Sequence, residues 1–264
     1  MNMKIGYVQT SPIFGDKEKN FKQVRDLLDN VKADLIVLPE LFATGYTFVS
    51  KKEAESLAEL PVGKTSEFLI ELAHKTKAII VGGFIEKENS QIYNSSLIVS
   101  SKEVLGTYRK LHLYYKEKLW FSPGNLPLKV YDVSKAKIGV MICFDWFFPE
   151  TVRTLALLGA DIIAHPANLV LPYCQNAMTT HCLVNHVFAV TANRIGREAR
   201  GTDSFIFTGG SQITSHKGSI ISSAPTDQIF VDFTEIDVNQ ARDKSINIYN
   251  NLLKDRRPEF YHMK

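Results

Sequence analysis

Cys143 ends the apolar run KIGVMIC and is followed by FDWFFPE, an acid, a knot of aromatics and a Pro-Glu pair. A thiol between the end of a buried strand and a helix opened by Pro149 can face a cleft while backbone N–H groups and the helix dipole point at it. Such surroundings favour the thiolate. Taken alone, Cys143 reads first as a small buried core residue, since free cysteine is among the most buried residue types. Glu40, in LIVLPELFATGY, follows a strand too apolar for a surface, where Pro39 fixes the chain and Gly45 permits a tight turn. Pressed against apolar neighbours at the rim of a sheet, its carboxyl is expected to titrate high enough for a general base. Lys110, in YRKLHLYYKEKLW, closes a strand, where an ammonium can stabilise a developing oxyanion; Glu117, seven residues on, can hold that lysine charged and in place.

The elements that must position these side chains follow from periodicity. KIGYVQT is strand-like, DKEKNFKQVRDLLDNVKA has apolar residues at helical spacing, and DLIVLPE is a buried strand, so the chain opens β-α-β. SEFLIELAHKTK predicts a second amphipathic helix, with AIIVGGFIE, YNSSLIVSS and VLGTYRK as strands after it. KAKIGVMIC predicts a strand, PETVRTLALLGA a helix, DIIAHPAN a strand, NAMTTHCLVNH a helix and VFAVTAN a strand. SQITS, GSIISS and QIFVDF are short strands between turn residues, and the tail from about 245 has no period. With no linker or repeat, residues 1–264 are expected to form one α/β domain of stacked sheets covered by helices.

Composition narrows the function classes. The chain has 264 residues, 45% hydrophobic and 22% charged, with 31 basic residues scattered among 28 acidic ones. That balance carries no electrostatic footprint for nucleic acid or an anionic membrane and points to small neutral partners. No run reaches the ~18 apolar residues of a membrane span, and MNMKIGYVQT lacks the pattern of a signal peptide. Cys143, Cys174 and Cys182 are an odd count, so free thiols in the cytoplasm are expected. Cys174, His181, Cys182 and His186 crowd one predicted helix, but their spacing fits no zinc pattern, and no metal is expected.

Glutamate, lysine and cysteine, in that order and each at a strand end, resemble the triad of the nitrilase superfamily of carbon-nitrogen hydrolases. The base motif is similar to LPELFATGY, the lysine motif to YRKLHLY and the nucleophile motif to GVMICFDWFFPE; GADIIAHPAN, NHVFAVTANRIG and FTGGSQI extend the likeness over nearly the whole chain. The resemblance implies a four-layer αββα sandwich and a homodimer joined through the helices after the nucleophile. It implies Cys143 as nucleophile, Glu40 as base, Lys110 with the backbone N–H of Phe144 as oxyanion donors, and Glu117 as the second acid. It implies a thioester intermediate and no cofactor. Many relatives carry arginine and glutamate where this chain has His181 and Val184, so the ion pair of that helix is not expected here.

Substrate is the open question. FDWFFPE after the cysteine resembles the amidase-type branch, while CFDWFFPE with HPANLVLPY also resembles compact archaeal nitrilases. The expectation is a small amide, with a nitrile as the alternative and an N-carbamoyl amine or a catalytically silent subunit behind it. Tyr46, Tyr114, Trp146 and Asn168 are candidate substrate-binding residues, with Tyr115 beside them.

Overall fold

A computed structural model describes residues 1–261. Strand β1 (Asn2–Gln9) leads to helix α1 (Lys17–Leu27), whose N-terminus is capped by Asp16 accepting from the Lys19 N–H at 3.1 Å, and then to β2 (Leu35–Val37). Helices α2 (Lys51–Leu57) and α3 (Lys64–Thr76) precede three consecutive strands, β3 (Ile79–Glu88), β4 (Gln91–Val99) and β5 (Val104–Arg109). A one-turn helix α4 (Glu117–Trp120) is followed by β6 (Val130–Asp132) and β7 (Lys137–Val140). A 3₁₀ turn (Cys143–Phe147) then runs into α5 (Pro149–Leu157), β8 (Ile162–Pro166), α6 (Cys174–Asn185) and β9 (Phe188–Ala192). The chain closes with β10 (Ile195–Arg200), β11 (Asp203–Thr208), β12 (Gln212–Thr214), β13 (Ile220–Ser223), β14 (Phe230–Asp237) and α7 (Asn239–Arg242).

These strands make two six-stranded sheets, in the orders β14-β1-β2-β3-β4-β5 and β13-β12-β9-β8-β7-β6. Central pairs are parallel and outer pairs antiparallel, as β-α-β units flanked by hairpins require. One core lies between the sheets, where Ile5, Leu35, Val37 and Val81 meet Ile138, Val140, Ile162 and Val190, and it continues under α5 and α6. A second core packs α1 and α3 on the outer face of the first sheet through Phe21, Val24, Phe68, Leu69 and Leu72. Helix, sheet, sheet, helix is the four-layer αββα sandwich expected.

Three local differences bear on the site. The strand predicted to run to Cys143 stops at Val140; the Met141 N–H still donates to the Ala164 carbonyl of the next strand at 3.2 Å, and the chain turns away at Ile142, just before the cysteine. The β10–β11 hairpin, a separate two-stranded sheet, is not announced by alternation, because IGREAR and SFIFT each mix both patterns. Helix α2 is likewise unannounced; its seven residues are mostly charged, with Ala54 alone buried.

Gly83 on β3 lies against the turn carrying Glu40, and its N–H donates to the Pro39 carbonyl at 3.3 Å. A Cβ at Gly83 would stand 2.5 Å from the Leu41 nitrogen and 2.7 Å from the Glu40 Cα, both backbone atoms that cannot step aside. Gly83→Ala is therefore expected to destabilise the fold by about 1–3 kcal/mol and to lower kcat by displacing Glu40. A denaturant midpoint and kcat both equal to wild type would show that the turn yields without moving the carboxylate.

Candidate active site

Glu40, Lys110 and Glu117, 70 and 7 residues apart along the chain, meet at one point with side chains 0–3% exposed. Lys110 Nζ donates to Glu40 Oε1 at 2.7 Å and to Glu117 Oε1 at 2.8 Å. An ammonium has three protons, so one remains for another acceptor. Backbone bonds fix the approach: the Lys110 N–H donates to the Asn94 carbonyl at 2.9 Å, and the Tyr114 N–H to Glu117 Oε2 at 2.8 Å. Glu40 Oε2 is buried with no partner and leaves a lone pair free for proton transfer.

Asn94, which no sequence motif singled out, completes the group. Buried on β4, it donates from Nδ2 to Glu40 Oε1 at 2.6 Å and to Glu117 Oε1 at 3.2 Å. Two carboxylates this close repel one another; Lys110 and Asn94 hold them together. Burial, assisted by Glu40, pushes Glu117 up to about 7. The Tyr46 phenol is pushed higher by burial and by Glu117 and Glu40, so it stays protonated beside them.

Cys143 opens the 3₁₀ turn with φ +42°, a conformation rarely held by a non-glycine residue and costing roughly 1–3 kcal/mol. Leu41, next to Glu40, has φ +48° and Tyr115, two before Glu117, has φ +49°. Strain thus sits at each of the three segments that bring up an acid or the thiol. Asp145 staples the Cys143 turn from within: buried, it accepts from the Ile142 N–H at 2.9 Å, the Tyr108 hydroxyl at 2.7 Å and the His112 N–H at 3.1 Å. One carboxylate therefore ties the cysteine turn to the segment on either side of Lys110. The sequence-based expectation of a thiolate is corrected here: burial first, then the Glu40 charge, pushes the Cys143 thiol well above its ordinary range, against the opposing pull of Lys110. At rest the sulfur keeps its proton.

A cavity of about 250 Å³ at Cys143 is lined by Tyr114, Phe144, Trp146 and Asn168 together with Leu169 and Val170. Three of the four substrate-binding candidates are therefore at the thiol. Tyr46 lines an adjoining cavity with Tyr115, Glu117, Trp120 and Phe205. Asn168 is 2% exposed, and neither end of its side-chain amide has a partner. The β10–β11 hairpin walls the second cavity: Asp203 pairs with Lys116 Nζ at 2.7 Å, and Glu198 accepts from the Tyr46 N–H at 3.0 Å, pinning the loop after Glu40. Gly45 opens that loop at φ +79°, as its turn requires.

On α6, Cys174 and Cys182 are packed in the core, His181 Nε2 faces the Trp146 carbonyl at 2.8 Å and His186 Nδ1 the Asp243 carbonyl at 2.9 Å. Among the described residues no group of three His, Cys, Asp or Glu is arranged to hold a metal, and no helix is long and apolar enough to cross a membrane. Val184 offers only its carbonyl, which accepts from Arg153 at 2.9 Å.

A family model described as carbon-nitrogen hydrolase matches residues 4–244, which hold every residue of this site. The chain belongs to the carbon-nitrogen hydrolase family. It is 46% identical to a nitrilase of Pyrococcus abyssi over 263 residues, 98% of this chain and 99% of that one. It is 32% identical to an (R)-stereoselective amidase of a Pseudomonas species over 260 residues, 97% of this chain and 92% of that one. A crystal structure of a carbon-nitrogen hydrolase from Helicobacter pylori G27 superposes with a TM-score of 0.88 over 99% of this chain and 97% of that one; at 24% identity the likeness speaks for the fold alone. The carbon-nitrogen hydrolase described here is an enzyme, and Cys143 occupies the family's catalytic position.

A carboxyl whose folded pKa is raised binds its proton more readily folded than unfolded. The stability this adds is complete below the ordinary carboxylate range and is lost as pH rises through the folded value. Between about 4.5 and about 7 the wild-type enzyme should therefore lose denaturant stability relative to Glu117→Gln. Parallel stability curves for the two proteins over that window would place the titrating group elsewhere.

Proposed function

We propose that this enzyme hydrolyses a small, largely uncharged amide to an acid and ammonia through a thioester on Cys143. Glu40 Oε2, the unpartnered carboxylate oxygen, takes the thiol proton as the sulfur adds to the carbonyl carbon. The oxygen of the tetrahedral adduct takes up the negative charge between the third Lys110 proton and the Phe144 N–H. Glu40 returns the proton to nitrogen, the C–N bond breaks, ammonia leaves and the acyl group stays on sulfur. Glu40 then removes a proton from water, which adds to the thioester and releases the carboxylic acid with the thiol restored. Glu117 keeps Lys110 charged and aimed throughout, and no step calls for a cofactor.

The observation that carries the substrate class is the lining of the Cys143 cavity. It is aromatic and aliphatic, contains no arginine or lysine, and has one neutral amide, Asn168, with donor and acceptor both free. A substrate carboxylate would be buried there without a counter-charge, which is costly, whereas an amide N–H finds an acceptor in Asn168 Oδ1. The second reading is a nitrile, favoured by the relative of 46% identity that bears the name nitrilase. A nitrile has no N–H and leaves Asn168 Oδ1 unused.

The same reading includes a homodimer formed through α5 and α6, whose Leu157, Leu158, Leu183 and Val184 are 39–49% exposed on the outer layer. It includes a cytoplasmic setting, which suits three unpaired thiols.

The test is ammonia release from a neutral amide, its nitrile and an ω-amido acid of similar length, with Cys143→Ala as control. The neutral amide should exceed the amido acid in kcat/KM by about tenfold or more, the scale of an unpaired buried charge, and Cys143→Ala should release nothing. Asn168→Ala should penalise the amide more than the nitrile. Preference for the amido acid would overturn the substrate class, and an active Cys143→Ala would overturn the nucleophile.

A further inference from the structure

His165 is a buried imidazole for which the acyl-transfer steps have no use. It lies on β8 with no exposure, and its two ring nitrogens face two specific groups, the Cys143 carbonyl 3.0 Å from Nε2 and the Thr191 hydroxyl 3.1 Å from Nδ1. A carbonyl oxygen only accepts, so Nε2 must carry a proton; Nδ1 then accepts from the Thr191 hydroxyl, which can donate. Burial lowers the ring's pKa to about 4, so the neutral form with the proton on Nε2 is the one that makes both contacts.

The carbonyl that His165 holds belongs to the peptide joining Cys143 to Phe144. That peptide is planar and trans, so its C=O and its N–H point in opposite directions. Drawing the oxygen toward β8 turns the Phe144 N–H away from β8. Cys143 stands at φ +42°, where a non-glycine residue has little intrinsic preference to stay, and Asp145 secures the preceding peptide by accepting the Ile142 N–H at 2.9 Å. The peptide after Cys143 opens the 3₁₀ turn, and the His165 contact restrains its carbonyl from outside that turn. We propose that His165 is a positioning residue: its Nε2–H, held in that tautomer by Thr191, fixes the Cys143–Phe144 peptide plane and thereby aims the Phe144 N–H at the oxyanion.

The proposal rests on Cys143 as nucleophile and the Phe144 N–H as oxyanion donor, and the two failures are distinguishable. An active Cys143→Ala removes that foundation, whereas an inactive Cys143→Ala with an unaffected His165→Leu removes only the positioning role. Glutamine carries its amide nitrogen as many bonds from Cα as the histidine Nε2; asparagine reaches only the place of Nδ1. His165→Asn and His165→Leu should each lower kcat by about 10- to 100-fold, the scale of a misdirected oxyanion donor, with KM within about twofold, while His165→Gln recovers kcat to within about fivefold of wild type.

A substrate-like aldehyde, which adds to Cys143 to form a tetrahedral hemithioacetal, provides the second readout. Its inhibition constant should rise in the asparagine variant by the same factor as kcat/KM falls, while amide KM holds. Equal kcat for the glutamine and asparagine variants, or an unchanged aldehyde constant, would overturn the proposal even if His165→Leu fails to fold. So would a folded His165→Leu with kcat within about threefold of wild type.

Discussion

A lysine ammonium with no solvent exposure, held between two carboxylates, is the interaction on which the rest of this enzyme depends. Charges are taken out of water only when paired and hydrogen-bonded, and removing one partner leaves an uncompensated charge in the core. Here one cation faces two acids, so the group as a whole carries a surplus negative charge. That surplus acts on what lies beside it. Burial is the first cause and the carboxylates add to it: the Glu117 carboxyl is raised to about 7, the Tyr46 phenol is held protonated and ionisation of the Cys143 thiol is disfavoured.

The fold exists around that group as a means of holding three chain segments against their preferences. Glu40 leaves one sheet, Cys143 the other, and Lys110 follows the edge strand of the first. Each segment includes a non-glycine residue in the left-handed region, and each is stapled by buried polar contacts: Glu198 on the Glu40 loop, Asn94 between the acids, Asp145 across the cysteine turn. The apolar packing of both sheets supplies the rigidity that such strain requires.

The candidate site residues were legible in the sequence because each violates a local rule. Glu40 is an acid after a strand that is all apolar, Lys110 a charge at a strand end, Cys143 a thiol between an apolar run and Pro149. The β-α-β order was legible from period alone. Asn94 was not, because in YNSSLIVSS a polar residue reads as one face of a half-exposed strand, and only the fold reveals that β4 is covered on that side too. His165 is one polar residue in a buried strand, and its partners Cys143 and Thr191 lie 22 and 26 residues away. The β10–β11 hairpin escaped because its exposed face is also partly apolar: burial alternates along β11, but Ile206, between Phe205 and Phe207, is 70% exposed, so the sequence itself does not alternate. The thiolate expected from the end-of-strand setting was wrong for a physical reason: proximity to a helix start was visible, while the depth of burial and the second carboxylate were not.

The central claim is that Cys143 is a neutral thiol at rest, deprotonated by Glu40 only as it attacks. Thiolate absorbs in the ultraviolet where thiol does not, so the difference spectrum of the enzyme against Cys143→Ala, followed with pH, reads the state of this sulfur directly. The account predicts no thiolate signal at neutral pH, with ionisation appearing only above the ordinary cysteine range and moving downward in Glu40→Gln. A full thiolate signal at neutral pH, unchanged by Glu40→Gln, would contradict it and make Lys110 the activating group in place of Glu40.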